Sequence, residues 1–487
     1  MNELIPIPWK IIDITRALNI KTFPGKINYN FVFSGISIDS RFIKSNELFV
    51  ALKGEIFDGH SFVYNLVKKG IKGFVLEKKF LKSLTKDQNI FFKTNNCILF
   101  FVENTLKALG RLAKFQRIRS KVKVVAITGS NGKTSTKEMV GRIFETKFNT
   151  LVTKGNFNNE IGLPLTLLKL SNEHEWAVVE MGMNHFGEIA RLSDISMPDI
   201  GIITNICNAH LKGLGSIFDV ANAKAELVEF IQNQGSLILN YSDSQKKIFI
   251  KKAEKNKNIK DLIFFGVSEN AHIKAKTVKI YQEKIYFKLF IGKNKSTKNK
   301  LIDVCINTPG LFMVENGLAA AAAGFQAGIS LNDIKKGLEA FVPVPGRINI
   351  LKELKYIKII DDTYNANPES VESALKTLKN LSGKDNSIAV LGDMLELGSM
   401  AKYFHYQIGK KAGALGVSRL YAYGDMAEHI INGALYKGLD KDKVMMGTQK
   451  KIADNIMKKV NSRTWVLVKG SRGMKMEDII SRLKGQN

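Results

Sequence analysis

The sequence predicts an α/β protein of three domains. A central P-loop domain with a mostly parallel sheet is flanked by a small N-terminal α/β substrate domain and a C-terminal Rossmann-like α/β domain. Three observations predict this. From about residue 121, short apolar runs alternate with helical stretches, the pattern of a mostly parallel sheet. One such run, Val124-Val-Ala-Ile127, feeds Thr128-Gly-Ser-Asn-Gly-Lys-Thr134 and then an amphipathic helix, the layout of a strand, a phosphate-cradling loop and a helix. The chain of 487 residues has room for about three domains at ~150 residues each, and the turn-rich Val342-Pro-Val-Pro-Gly346 marks one boundary.

Taken in order, residues 1–120 read as the first unit. Ser34–Arg41 and Leu48–Leu52 read as strands, Val63–Lys69 and Leu106–Phe115 as helices, and the basic run Arg117–Lys123 as a linker. In residues 121–345 the expected strands are Val122–Ile127, Trp176–Glu180, Ile200–Thr204, Ser236–Leu239 and Leu262–Phe265. Residues 271–307 alternate apolar and polar in places, which suggests an antiparallel addition, and a small-residue helix from Asn316 to Gly328 closes the unit. In residues 346–487 strands are expected near Ile357–Ile360, Ile388–Leu391, Leu420–Ala422 and Trp465–Val468.

Composition removes several alternatives. Hydrophobic residues at 45% and charged residues at 24% suit a globular protein with large cores. No apolar run approaches the ~18 residues of a membrane span. The start, Met1-Asn-Glu-Leu-Ile-Pro6, lacks the basic and apolar segments of a signal peptide. Cys97, Cys207 and Cys305 form no ligand or redox motif. A cytoplasmic protein without stable membrane insertion is the expectation. The formal net charge of +28 raises the possibility of a nucleic-acid-stimulated ATPase. That reading needs clustered arginines and a hydrolytic aspartate at a strand end, and neither is apparent. The densest basic runs, Lys251–Lys260 and Lys293–Lys300, carry no interleaved aromatics and read as solvated faces, so no nucleic-acid partner is expected.

The loop carries the first chemistry. The backbone N–H groups of Gly129, Ser130, Asn131, Gly132 and Ser135 suit phosphate oxygens, Lys133 adds a point charge, and Thr134 offers a hydroxyl to Mg²⁺. The strict eight-residue pattern has a glycine where Ile127 stands. Ligands of open α/β sheets gather beyond the C-terminal strand ends, where Glu180 and His210 also fall. Glu180 reads equally as a metal ligand or an exposed strand-end charge, and His210 equally as a ligand or as a helix-capping or hydrogen-bonded loop histidine. Lys224, on an otherwise apolar helical face, reads as a snorkelling lysine. Asn159 sits in an Asn-dense loop suited to turn and cap chemistry. The two acids and two asparagines of Asp361-Asp-Thr-Tyr-Asn-Ala-Asn-Pro368 either hold a ribose or metal or cap the next helix. Arg347 follows a Pro-Gly turn and is either a phosphate contact or a surface arginine.

As a set, these motifs resemble the Mur ligase family. The resemblance covers nearly the whole chain. It rests on Ile38-Asp-Ser-Arg41, Leu48-Phe-Val-Ala-Leu-Lys-Gly54 and Asp58-Gly-His60, then on Thr128–Thr134, Gly155-Asn-Phe-Asn-Asn-Glu-Ile-Gly162, Glu180-Met-Gly-Met-Asn184 and Asn208-Ala-His-Leu211. It continues through Pro345-Gly-Arg347, Asp361–Pro368, Leu391-Gly-Asp-Met-Leu-Glu-Leu-Gly398 and Val468-Lys-Gly-Ser471. The resemblance implies an ATP-dependent amide ligase of peptidoglycan synthesis that joins D-alanyl-D-alanine to a UDP-MurNAc-tripeptide, acting as a monomer. A folylpolyglutamate synthase-like ligase fits the first-domain motifs and the Asp361–Pro368 string less well. It implies that Lys133 and Thr134 hold ATP and the first Mg²⁺, with Glu180 as a further ligand. His210 would hold a second Mg²⁺, and Lys224 would be carbamylated by CO₂. Asn316, Arg347 and Asp362 match nucleotide-side positions, Ser40 and Arg41 match the grip on UDP, and Asn159 matches the nucleotide-sugar loop. Where the family shows Gly-x-His-Asn-x-x-Asn, this chain has Gly310-Leu-Phe-Met-Val-Glu-Asn316, with Phe312 and Met313 in place of the His-Asn pair and the last asparagine kept.

Overall fold

A computed structural model describes residues 4–20, 30–281, 283–292, 300–354, 357–460 and 463–485. Residues 293–299 of the second basic run lie outside these. A nine-stranded sheet forms the centre, in the spatial order Lys300–Ile306, Lys284–Ile291, Ile273–Tyr281, Ile259–Gly266, Gly235–Asn240, Ile200–Ile203, Lys123–Thr128, Trp176–Glu180, Thr150–Val152. Neighbours pair in parallel from Thr150–Val152 as far as Ile273, and the last three strands pair antiparallel, as the alternation over 271–307 suggests. The loop-bearing strand Lys123–Thr128 is the first strand of this sheet in sequence. It lies between later strands that lead away on both sides, which makes its C-terminal end the topological switch point.

Each face of this sheet is apolar for a sequence reason. Val124, Ala126 and Val179 point to one side and Val125, Ile127 and Val178 to the other, so strands covered on both faces read as unbroken apolar runs. The helix Phe312–Gln326 covers the second face with Ala319–Ala323, all fully buried. It starts earlier than the sequence suggests, and Phe312 and Met313 form its first turn.

The N-terminal unit has a four-stranded parallel sheet, Gly35–Ser37, Glu47–Val50, Gly73–Glu77 and Ile98–Val102. The expected first strand is shortened to Gly35–Ser37 because Asp39 turns the chain: it accepts from Arg41 N–H at 2.9 Å. His60 holds the neighbouring loop, its Nδ1 2.7 Å from Asp58 Oδ1 and its Nε2 accepting from Glu77 N–H.

The linker expected at Arg117–Lys123 is not one. The helix Thr105–Ser120 runs through its first half and packs on helices Gly162–Leu167 and Glu188–Ser196 of the central unit. Arg117 is buried there. Its guanidinium donates to Ser196 O at 3.0 Å, Met197 O at 3.1 Å and Asp199 Oδ2 at 3.0 Å, and burial lowers its pKa while raising that of Asp199. A charged run reads as solvated, yet these acceptors, distant in sequence, take its charge inside.

The C-terminal unit is a six-stranded sheet ordered Asn349–Leu354, Ile357–Asp362, Thr464–Lys469, Asn386–Gly392, Arg419–Tyr423, Val444–Met446, parallel except for the first edge pair. Its C-terminal strand ends face the P-loop. No helix of the described residues is long and apolar enough to cross a membrane.

Candidate active site

Between the switch point and the C-terminal sheet lies a cavity of about 820 Å³. The loop that floors it is shaped by glycine where nothing else fits. Gly129 has φ 146°, and a Cβ there would sit 1.9 Å from Thr204 Oγ1. Gly132 has φ 81°, and a Cβ would sit 2.3 Å from Asn316 Oδ1. The strand after Ile203 braces the loop: Asn205 O and Oδ1 accept from the N–H groups of Ser130 and Asn131 at 2.8 and 2.9 Å, and Thr204 Oγ1 donates to Asn131 O at 2.6 Å. The helix Lys133–Phe144 then begins, placing Thr134 and Ser135 in its first turn. Lys133 Nζ donates back to Gly129 O at 2.8 Å and Ser130 O at 3.2 Å, and burial lowers its pKa.

Glu180 is not the exposed strand-end charge that one reading allows; it is 1% exposed. Asn158 Nδ2 donates to its Oε1 at 2.8 Å, while Oε2 is buried without a partner among the described residues. That orphaned acceptor fits a cation. No three His, Cys, Asp or Glu side chains cluster tightly enough, among the described residues, to hold a metal themselves. A Mg²⁺ here would therefore draw most of its oxygens from phosphates and water.

Lys224 does not snorkel. It ends the helix Ile217–Lys224 fully buried, and its Nζ has no hydrogen-bond partner among the described residues. Burial, then the nearby Lys133 charge, hold its pKa well below the usual lysine range. It is not among the residues that line the cavity, whereas Glu180 and His210 are. His210 occupies the residue before the short helix Leu211–Leu214 in a left-handed conformation, φ 58°, and makes no side-chain cap. Its Nδ1 lies instead 2.7 Å from Glu396 Oε2 of the C-terminal unit, and that contact lowers the Glu396 pKa.

The C-terminal unit closes the cavity. Asn131 and Asn367 exchange side-chain hydrogen bonds at 3.1 and 2.7 Å, joining the phosphate loop to the start of helix Pro368–Ser382. Asn367 also caps that helix, accepting from Ser370 N–H at 2.9 Å, so the cap falls to it and not to the aspartates. Asp362 accepts from Lys469 Nζ at 2.6 Å and from Ile348 N–H at 3.2 Å. Arg347 is half-buried, with its Cζ 4.1 Å from the Tyr364 ring centroid and its Nε buried and unpartnered among the described residues. Asn159 lines the cavity and also caps the next helix, its Oδ1 accepting from Ile161 and Gly162 N–H at 3.2 and 2.8 Å.

Ser40 and Arg41 are not part of this cavity. Arg41 is exposed in the turn after the strand Gly35–Ser37 and held by Asp39 at 2.7 Å. Sequence reasoning assigned no role to Asn158, Glu396 or Lys469, whereas the cap by Asn367 is one of the two readings its motif allowed. Asn158, Glu396 and Lys469 sit in motifs that carry the family resemblance, which was the available signal.

Three models of one family match in order. Mur ligase family, catalytic domain, covers residues 32–117; Mur ligase middle domain covers 127–324; Mur ligase, glutamate ligase domain, covers 346–472. A relative from Bacillus subtilis named UDP-N-acetylmuramoyl-tripeptide–D-alanyl-D-alanine ligase is 34% identical over 461 residues, covering 93% of each chain. A crystal structure of MurF from Acinetobacter baumannii aligns with TM-score 0.85 at 30% identity, covering 99% of both chains. MurF ligase from Thermotoga maritima in complex with ADP aligns with TM-score 0.78 at 26% identity, covering 93% of this chain and 97% of that one. With the motifs, the domain order and the phosphate-loop cavity in agreement with these likenesses, the chain belongs to the Mur ligase family.

Proposed function

We propose that this protein is the ATP-dependent ligase that adds D-alanyl-D-alanine to UDP-MurNAc-tripeptide in peptidoglycan precursor synthesis. The observation that carries the reading is the cavity itself. It joins a phosphate loop, a buried carboxylate oxygen without a partner, and the Arg347 and Asp362 groups of a second unit.

The chemistry follows from what a carboxylate lacks. It is a poor acyl donor, so the terminal carboxylate of the tripeptide attacks the γ-phosphorus of ATP, releasing ADP and leaving an acyl phosphate. The dipeptide amine then attacks the acyl carbon, and inorganic phosphate departs from the tetrahedral intermediate. The N–H groups of Gly132–Ser135 and the Lys133 ammonium, swung off its own loop carbonyls, bind the phosphate oxygens in both steps; those of Ser130 and Asn131, expected to do the same, are taken instead by Asn205. Thr134, Glu180 and His210 are the residues that would hold two Mg²⁺ ions. When bound, Mg²⁺ neutralises phosphate charge as a Lewis acid. Asn316, beside Gly132, and Arg347 with Asp362 complete the nucleotide side. Their closure keeps water from the acyl phosphate.

Lys224 is assigned as a carbamate: its neutral amine adds to CO₂, forming the N–C bond and releasing a proton. Burial and the Lys133 charge favour the neutral amine that this addition needs, and the product sets an anion near the Lys133 cation. Residues 1–120 would hold the UDP moiety through Ser40 and Arg41, with Asn159 from the central unit, 121–345, on the sugar side. Residues 346–487 would close over ATP and the incoming dipeptide. The enzyme is assigned to the cytoplasm as a monomer.

Phosphate release with ATP, Mg²⁺, UDP-MurNAc-tripeptide and D-alanyl-D-alanine, each omitted in turn, tests this. Release is expected only with all four; release that ignores the dipeptide and responds to DNA or RNA would overturn the ligase reading.

A further inference from the structure

Lys137 is a fully buried lysine that the ligase chemistry leaves without a task. It lies one helical turn beyond Lys133, on the helix that springs from the phosphate loop. Its ammonium donates to Thr153 O at 2.7 Å and Gly155 O at 3.4 Å, and pairs with Glu138 Oε1 at 2.7 Å. A dry cation is kept only where it is paired and hydrogen-bonded. Here the two backbone partners are carbonyls at the root of the Gly155–Gly162 loop.

From that root the contacts lead to the orphaned carboxylate. Thr153 Oγ1 accepts from Glu180 N–H at 3.4 Å, and Thr153 N–H donates to Val178 O at 3.0 Å. Further along the loop, Asn158 Nδ2 donates to Glu180 Oε1 at 2.8 Å, and Asn158 O accepts from Gly182 N–H at 2.8 Å. The fit is close: a Cβ on Gly182 would lie 3.1 Å from the Asn158 amide. The loop is thus tied at its root to the phosphate-loop helix and at its middle to Glu180.

We infer that Lys137 is a positioning residue: its ammonium clamps the root of the 153–162 loop and so sets Asn158, Asn159 and Glu180 relative to the phosphate loop. A methionine of similar length would fill the same slot but leave the Thr153 and Gly155 carbonyls without their donor. The catalytic consequence rests on the ligase reading; the structural one does not.

Amide hydrogen exchange on the unliganded chain reads the clamp without turnover. Lys137→Met is expected to raise exchange across 153–162 about tenfold, with peptides of the helix 133–144 unchanged. In the ligation assay the KM for the UDP substrate should rise about tenfold while the KM for ATP stays within about twofold. Unchanged exchange in 153–162 would overturn the inference whether or not the protein is a ligase. So would exchange rising equally in 133–144, which marks a general loss of packing, or raised exchange with both KM values unchanged. If Lys137→Met does not fold, Lys137→Gln carries the test, because its shorter, neutral amide cannot reach both carbonyls as the ammonium does. It should raise exchange across 153–162 and the same KM about threefold, and no change in either would overturn the inference. Failure of the wild type to require D-alanyl-D-alanine would sink the ligase reading and leave the exchange result standing.

Discussion

Lys224 of the central unit and Lys469 of the C-terminal unit are both buried, and they are finished differently. Lys469 is bound within the protein: its ammonium donates to Asp362 Oδ2 at 2.6 Å and to Asn365 O at 2.8 Å. Lys224 has no partner among the described residues, and the first charge to act on it, Lys133, has its own sign. A fold that could supply a counter-ion at one position and not the other is unlike a fold with a packing defect. Lys469 is a fixed part of the closing unit, whereas Lys224 fits a group that arrives from outside the chain.

The largest expected effect breaks the Lys224 side. Lys224→Ala should lower phosphate release on the order of 10³-fold, because it removes the site of the proposed carbamate anion near the phosphates. Added formate or acetate should restore part of the rate by standing in for that anion. Lys224→Met, which keeps the buried volume, should leave the thermal midpoint unchanged or raised, since it strands no partner. A variant with wild-type turnover, or one that melts far earlier, would remove the contrast between the two lysines.

The next effect is one of stability on the Lys469 side. Asp362→Asn leaves a buried ammonium without its anion and should cost about 3–5 kcal/mol in denaturant unfolding. Adding Lys469→Met should recover most of that loss, because removing both charges is cheaper than removing one. Strictly additive losses would mean that the pair does not act as one unit. Activity should stay low in both variants, because each lacks the Asp362 carboxylate proposed for the nucleotide side of the cavity.

The contrast between these lysines was only partly legible in the chain. The phosphate loop could be read because its signals are local: an apolar strand, glycines and a helix start lie within a dozen or so residues. Strands such as Trp176–Glu180 were legible for the same reason, and Asn159 acts as the cap its loop composition suggests. The burial of Lys224 was not legible. Its helix is apolar on several sides, and only the packing of distant elements decides whether the ammonium reaches water. The Asp362–Lys469 pair depends on register, since these residues are opposite one another on adjacent parallel strands separated by most of the domain sequence. Arg117 misled for a related reason. A basic run is normally solvated, and nothing near it in sequence announces the carbonyls of Ser196 and Met197 that receive it.

The smallest expected effect concerns how the C-terminal unit keeps Glu396 against His210. The loop after strand Asn386–Gly392 is pinned by His405, which is fully buried; its Nε2 accepts from Met394 N–H at 2.8 Å, and its Nδ1 donates to Ala401 O at 2.7 Å. Burial lowers its pKa below 6.5, opposed by the Ala401 carbonyl and the Asp393 charge and assisted by the nearby His429. A proton on Nε2 would face the Met394 N–H, so the folded state takes up that proton less readily than the unfolded chain. Stability from this contact is therefore complete above pH 6.5, the unfolded value, and is lost as pH falls through the lower folded value. Asp393 works in the opposite sense, because burial raises its pKa and acid relieves that cost. The His405 share must be read as a difference. His405→Gln should be less stable than wild type at pH 8, with the gap narrowing by about 1 kcal/mol on acidification below 6.5. A gap constant with pH would show that the loop is held by packing alone. The Glu396–His210 contact would then owe nothing to the protonation of this imidazole.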